Sequence, residues 1–397
     1  MTADGPIFLP QGFKFSSASA GIKTSGKPDL GLILAEPSAS AAALFTRNRI
    51  VAAPLEVGRA ALAKTGGRVR AVLVNSGNAN CATGTKGVRA CRIVCAALAR
   101  ELKVNASEVF PSSTGIIGVP LPTAKINHKL RSLAGGAEPT VERLRQFSEA
   151  ILTTDSRPKL DSVPLRSGKA SITGIAKGAG MVHPQLATML VYLLTDIVAS
   201  PAELTRALRK ACEHSFNLIS IDGDTSTNDT VLLLASGQSR TKLQAVRGEF
   251  ERALIELCRS LAEQIVRDGE GVGHVIRLQI EGAKSRAEAL TVARTISRSL
   301  LVKTAWAGAD PNWGRILAAV GRSGVPIDPR RIVISIGDQK VCRGSTACAF
   351  DQTRAHAELS NPESRVTVRL GRGKAAIEYL TTDLTSDYVK INAEYST

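Results

Sequence analysis

Short apolar segments alternate with amphipathic segments along most of the chain, and this alternation limits the folds that it can adopt. In residues 275–282, Ile276, Leu278 and Ile280 alternate with polar side chains, which is the pattern of a half-buried strand. Similar segments predict further strands at 30–36, 71–75, 331–337 and 365–371. The alternation indicates a mixed α/β protein built from layered sheets and helices.

Three segments with helical periodicity predict helices at 86–103, 201–215 and 247–267. Ser200 and Glu203 form the pattern of a capping box around the start of the second helix. The third helix is expected to end near Gly269, where glycine can adopt the left-handed conformation of a helix cap. Glu270 would then lie on the turn that follows this helix.

The order of these elements suggests how the chain is divided. A helix-rich part gives way to a strand-rich part near residue 275, so we predict a main domain at 1–274 and a smaller domain at 275–397. A weaker break falls at 156–162, a polar stretch that contains proline.

The composition is that of a globular protein, with 44% hydrophobic and 22% charged residues. No apolar run is long enough to span a membrane, and the first residues lack the basic and apolar blocks of a secretory signal. These features predict a cytoplasmic location.

The net charge of +16 raises the alternative of a basic nucleic-acid-binding protein. The basic residues are scattered, however, and no aromatic-rich RNA-binding motif occurs. Attraction of small anionic metabolites is the simpler interpretation of the charge.

Cysteine and histidine show no metal-binding pattern. The seven cysteines include no Cys-x-x-Cys pair, and Cys91 and Cys95 fall on the apolar stripe of a helix, as small core residues do. The five histidines are isolated, and the acidic segment 222–230 lacks the ligand spacing of a calcium loop. We therefore predict no metal site.

Five polar segments that contain glycine interrupt or follow apolar strands. Backbone N–H groups in such segments can converge on an anion or an oxyanion, although each segment taken alone also fits an ordinary turn. None of them is a Walker A loop or a dinucleotide-binding fingerprint. The five segments are 75–84, 112–118, 177–188, 222–230 and 268–271.

Thr188 stands between a glycine-containing polar segment and the apolar run that follows it. A threonine hydroxyl is a poor nucleophile unless a base lies beside it. If the bond after Ala187 were cut, the new α-amino group of Thr188, with a pKa of about 7.7–8, could accept the hydroxyl proton. The alternative is that Thr188 is simply the first residue of a buried strand.

Several long motifs, which occur along the chain in the same order as in a known protein family, decide between these two interpretations of Thr188. They include NSGNANCATG, SSTGIIG, TTDSRPK, SFNLISIDGDTSTNDT, VRDGEG, KTAWAGADPNWGRILAAVGRSG and the ending INAEYST. In these motifs the chain resembles, from end to end, the ornithine acetyltransferases, also called bifunctional glutamate N-acetyltransferases, of arginine biosynthesis. The resemblance implies an αββα sandwich with a smaller C-terminal domain.

The resemblance also implies a reaction. The precursor would cleave itself between Ala187 and Thr188, leaving two chains that stay together as an α2β2 heterotetramer. Thr188 would take the acetyl group from N2-acetylornithine as an ester and pass it to glutamate. No cofactor is implied, and acetyl-CoA is an additional co-substrate only in the bifunctional members of the family.

Individual site residues follow from the matching motifs. Thr114 and Gly115 would form the oxyanion hole. The substrate contacts implied by the resemblance are Thr154, Lys177, Thr188, Glu270, Asn392 and Thr397.

Two departures from the common family pattern bear on the site. His274 stands where a lysine is expected, which would change the charge behind Glu270, and residues 182–185 read VHPQ before the cleavage point. A self-cleaving aminopeptidase or amidase of the same fold remains an alternative, and it would transfer the acyl group to water.

Overall fold

The computed structural model describes residues 5–166, 169–183 and 189–394. The strands in this part of the chain are β1 (Phe13–Ala18), β2 (Leu30–Phe45), β3 (Arg68–Asn78), β4 (Val109–Ile116), β5 (Lys159–Leu165), β6 (Ala170–Lys177), β7 (Leu190–Thr195), β8 (Ile219–Ser220), β9 (Thr230–Ala235), β10 (Val275–Ala283), β11 (Val333–Ile336), β12 (Gln339–Arg343), β13 (Thr346–Ala347), β14 (Glu363–Arg369) and β15 (Ala375–Thr382). The α-helices are α1 (Ala53–Thr65), α2 (Gly84–Leu102), α3 (Thr123–Gly135), α4 (Val141–Ala150), α5 (Pro201–Glu213), α6 (Leu243–Arg267), α7 (Arg286–Ser297), α8 (Leu300–Ala307), α9 (Trp313–Gly321), α10 (Gln352–Leu359) and α11 (Ser386–Glu394). None of these helices is both long and apolar enough to cross a membrane.

The first sheet has the order β4-β3-β2-β9-β7-β6-β5, with β1 paired to β2. Strand β2 connects its two parts, because residues 30–35 pair with β1 and residues 40–45 pair with β9. The prediction that this strand ends at residue 36 was wrong. Pro37 has no N–H group, but it lies where the β2–β3 pairing shifts register, so the strand continues through it.

A buried apolar cluster lies between the two parts of this sheet. Ile33 of β2 and Val72 of β3 belong to it together with Tyr192 of β7 and Leu232 of β9. The opposite faces of these strands pack against α2 and α3 on one side and against α5 and α6 on the other. The layers therefore run helix, sheet, sheet, helix, and the αββα architecture is confirmed.

The second sheet has the order β13-β12-β11-β14-β10-β15-β8 and packs against helices α7 to α10 around its own core. Its edge strand β8 comes from residues 219–220 and pairs with β15 in parallel. The chain thus contributes a short strand to this sheet before the division that we predicted at residue 275. The domain limits themselves stay a prediction.

The helices form near the predicted positions. Ser200 and Glu203 make the reciprocal hydrogen bonds of a capping box at the start of α5. Cys91 and Cys95 are buried on the inner face of α2. Glu270 follows the end of α6 on a turn, as the sequence predicted.

Candidate active site

A cavity of about 100 Å³ collects residues from segments that are far apart in the chain. Its lining includes most of the residues that the family resemblance implied, namely Thr114, Gly115, Thr154, Lys177, Glu270 and Asn392. Ala187, Thr188 and Thr397 lie outside the described residues. The fold thus brings the described candidates to one place, while their individual roles stay predictions.

Lys177 is the last residue of β6, and it forms part of the cavity lining. Its side chain is 7% exposed. Lys177 Nζ donates to Thr153 Oγ1 at 2.8 Å and to Thr114 Oγ1 at 3.2 Å. Since Thr114 Oγ1 accepts from the lysine, the hydroxyl proton of Thr114 remains available to donate to another oxygen in the cavity.

The buried carboxylate of Asp155 compensates the charge of Lys177. The carboxylate of Asp155 lies 3.6 Å from Lys177 Nζ, pairs with Lys159, and accepts the N–H of Gly178 at 2.6 Å. Burial alone would raise the pKa of Asp155. The two lysines and the Gly178 N–H lower the pKa by more than burial raises it, so the pKa lies well below its usual value. Asp155 is therefore ionised, and Lys177 is held in one position.

This buried network continues to Asp268, which accepts hydrogen bonds from Lys159 and from the backbone N–H of Ser156. Sequence analysis missed Asp155, Lys159 and Asp268 as supports of the site. The motif TTDSRPK contains two of them, but nothing in the spacing indicates that Asp268 joins them across more than one hundred residues.

Gly115 lies where the parallel pairing of β3 and β4 becomes irregular. Its φ of +129° is a conformation that side chains rarely allow, and a Cβ atom there would overlap the backbone of Gly77. The amide of Asn228 donates to the carbonyl of Ser113 at 2.8 Å and to that of Ala79 at 2.7 Å. Glycine at this position and the Asn228 bonds together fix the backbone that presents the Gly115 N–H.

Glu270 lines the same cavity as Lys177 and comes from the turn after α6. Its backbone N–H donates to the carbonyl of Ala179 at 2.9 Å, and its carboxylate accepts from Asn392 Nδ2 at 2.9 Å. A Cβ atom on Gly180 would overlap this carboxylate, so a larger residue there would displace the Glu270 side chain. The cavity is therefore lined by a lysine and a glutamate that come from different segments of the chain.

The loop between β8 and β9, residues 221–229, accepts hydrogen bonds from the backbone on both sides of residues 184–188. Asp222 accepts the N–H of Val182 at 2.9 Å and also that of Met181. Asp229 Oδ1 accepts the N–H of Met189 at 2.9 Å. These two carboxylates of the acidic loop thus accept hydrogen bonds from backbone N–H groups.

Burial raises the pKa of Asp222 to about 6 and that of Asp229 well above its usual value, although the backbone N–H groups partly offset this. The N–H of Met189 belongs to the peptide bond that joins it to Thr188. Asp229 therefore fixes the backbone directly after the predicted nucleophile.

His274, the first departure from the family pattern, contacts Asp383. Its Nδ1 atom lies 2.9 Å from Asp383 Oδ2, and its backbone N–H donates to the same oxygen at 3.1 Å. The imidazole of His274 thus contacts a carboxylate that directly follows β15. Its expected effect on the charge behind Glu270 stays a prediction.

Comparison with known proteins identifies the family of this chain. The chain matches the family model described as ArgJ family over residues 14–397, and it belongs to this family. The arginine biosynthesis bifunctional protein ArgJ of Chlorobaculum tepidum is 41% identical, covering 99% of this chain and 98% of the relative. The ArgJ protein of Thermus thermophilus is 43% identical, with 98% and 100% covered.

A solved structure of the ornithine acetyltransferase of Mycobacterium tuberculosis, complexed with ornithine, is also similar. It is 35% identical with a TM-score of 0.42, and the match covers 45% of this chain and 93% of that chain. The family resemblance inferred from the sequence motifs is confirmed by the family match and by the full-length relatives.

Proposed function

We propose that this protein transfers the acetyl group of N2-acetylornithine to glutamate, giving ornithine and N-acetylglutamate. The observation that carries the proposal is that Lys177 and Glu270 line one cavity together with the oxyanion-hole candidates Thr114 and Gly115. N2-acetylornithine carries a carboxylate and an ammonium group, which complement Lys177 and Glu270 respectively. The membership of the chain in the ArgJ family supports this assignment.

Maturation comes first. The Thr188 hydroxyl attacks the carbonyl carbon of Ala187, the peptide C–N bond breaks, and the acyl group passes to oxygen as an ester. Water then hydrolyses this ester, which releases the carboxylate of Ala187 and leaves Thr188 with a free α-amino group. That amine is the base that the threonine lacks in the precursor.

In the transfer step, the α-amino group of Thr188 accepts the hydroxyl proton while Oγ1 attacks the acetyl carbonyl. The Thr114 hydroxyl and the Gly115 N–H stabilise the oxyanion, and the proton passes to the departing amine of ornithine. The amine of glutamate then attacks the acetyl ester in the reverse sequence. The donor product thus leaves before the acceptor reacts, so the kinetics are ping-pong.

Exchange of label tests this order of events. The processed enzyme, given labelled ornithine and unlabelled N2-acetylornithine without glutamate, is expected to form labelled N2-acetylornithine, because the acetyl-enzyme can return its acetyl group to ornithine. With glutamate present, one N-acetylglutamate should form for each ornithine that is released. Release of acetate with no N-acetylglutamate would contradict the proposal and favour the amidase alternative.

The same proposal covers the co-substrate and the assembly. No bound cofactor takes part in these steps, and replacing N2-acetylornithine by acetyl-CoA in the same assay decides whether acetyl-CoA is a second donor. The two chains of the precursor remain together as an α2β2 heterotetramer in the cytoplasm.

A Gly180→Ala variant is expected to raise the KM for N2-acetylornithine about tenfold or more, with a smaller change in kcat. The added methyl group would displace the carboxylate of Glu270 and so weaken its proposed hydrogen bond to the ammonium group of the donor. A hydrogen bond to a charged group contributes about 1.5–3 kcal/mol. Steady-state kinetics on purified processed protein measure both constants.

The matched control is Gly135→Ala, where a Cβ atom would meet open space at the end of α3. This variant should keep the wild-type KM. An unchanged KM in Gly180→Ala would show that the position of Glu270 does not govern donor binding.

A further inference from the structure

A second cleft, about 640 Å³ in volume, lies between α5 and α7 and shares no lining residue with the candidate active site. Four arginines line it together with a single carboxylate residue, Glu213. The four are Arg47, Arg209, Arg286 and Arg294. The cleft thus carries a formal charge of +3 from its lining.

Many arginines in this protein are neutralised by carboxylates. Arg277 pairs with Glu263, Glu363 and Glu378, and Arg372 pairs with Glu288. In the described part of the chain, Arg47, Arg209 and Arg286 form no such ion pair. Arg286 donates to the backbone carbonyl of Glu213 at 2.7 Å, a contact that does not offset its charge.

Arg47, Arg294 and Arg298 act electrostatically on groups inside the protein, in addition to burial. Burial lowers the pKa of Arg294, and Arg47 and Arg298 lower it further, although Tyr379 partly offsets this. Burial, Arg298 and Arg294 together lower the pKa of His183 to about 4. Together with the guanidinium groups of Arg47, Arg209 and Arg286, which form no ion pair within the described residues, this makes the cleft a region of positive potential.

We propose that this cleft is a binding site for a small polyanion that carries two or more phosphate groups. Guanidinium groups match phosphate oxygens in bidentate geometry, and several converging arginines suit a multiply charged ligand better than a single carboxylate. Leu44 and Leu290 add apolar surface to the lining, so the site has room for more than an inorganic ion.

The ligand differs from the substrates of the proposed reaction. The ammonium group of ornithine would be repelled by the four arginines, against which the lining sets one carboxylate, Glu213. The proposal thus concerns a separate site, and it does not depend on the acetyl-transfer assignment.

Titration calorimetry with pyrophosphate, at constant ionic strength, tests the site on the processed protein. Saturable binding at one site per chain is expected. The double variant Arg209→Gln/Arg286→Gln should weaken this binding about thirtyfold or more, because two of the four guanidinium groups that would bind the phosphate oxygens are lost. Both side chains are exposed, so the variant should keep its fold and its basal acetyl-transfer rate.

The matched control is Arg166→Gln/Arg252→Gln, in another cleft where two arginines stand beside Glu249 and Glu256. This control should bind pyrophosphate like the wild type. No saturable binding, or an equal loss in the control, would overturn the proposal. Tighter binding of a single-stranded oligonucleotide, abolished by Arg209→Gln/Arg286→Gln, would also overturn it and would restore the nucleic-acid interpretation of the net charge.

Discussion

Thr188→Ala is expected to remain one chain of 397 residues and to lose acetyl transfer by roughly 10⁴-fold or more, the scale seen when a catalytic nucleophile is removed. The wild type should appear in intact mass spectrometry as fragments of 187 and 210 residues that meet at Ala187 and Thr188. Both effects have one cause in the proposed mechanism, because the same hydroxyl cleaves the precursor and then carries the acetyl group.

Thr188→Ser is the matched control, since serine keeps the hydroxyl and the α-amino group. It should still be cleaved and should retain measurable transfer. Thr114→Ala separates the oxyanion donor from the nucleophile, and it should reduce the rate by about 10²–10³. A wild-type protein that is fully active while uncut, or a Thr188→Ala protein that still separates into two fragments, would contradict the mechanism.

Asp155→Ala is expected to have the largest effect on stability, a loss of about 3–5 kcal/mol in the free energy of unfolding. The carboxylate is fully buried, and its removal would leave Lys159 without one of its two partners and Lys177 without its ion pair. Denaturant unfolding followed by circular dichroism measures this loss. The side chain of Asp155 does not line the cavity, so any loss of activity in this variant would be indirect. It would come from a shift of Lys177, which loses its ion pair.

The dependence on pH provides a separate check of the same ion pairs. The pKa of Asp155 is lower in the folded protein than in the unfolded chain. Its contribution to stability is therefore present above the unfolded pKa of about 3.9 and is lost progressively as the pH falls from there through the lower pKa of the folded state. Asp155→Ala should lack this acid-induced loss.

Glu251→Ala is the surface control, because the Lys210–Glu251 pair is largely exposed and such pairs contribute about 0–1 kcal/mol. An Asp155→Ala protein as stable as this control would contradict the view that the buried network supports the site.

Sequence patterns predicted the local elements well, for identifiable reasons. Strand β10 alternates apolar and polar residues because one face is buried, and α5 begins at Ser200 because its side chain and Glu203 cap the first turn. Strand β2 was predicted too short, since a proline usually ends a central strand and the register shift that tolerates Pro37 depends on its neighbours. Motifs identified Thr114, Lys177 and Glu270 as candidates through family resemblance.

The sequence alone determined what depends on neighbouring residues: the periodicity of strands and helices, the caps, and the chemical types gathered in each motif. Only the tertiary structure decided what depends on distance between remote segments. Asp268 supports Lys159, Asn228 fixes the strand end before Thr114, and Gly180 leaves room for Glu270. Such contacts arise because folding closes long loops, and a buried charge or polar group takes its partner from whichever segment the packing places beside it.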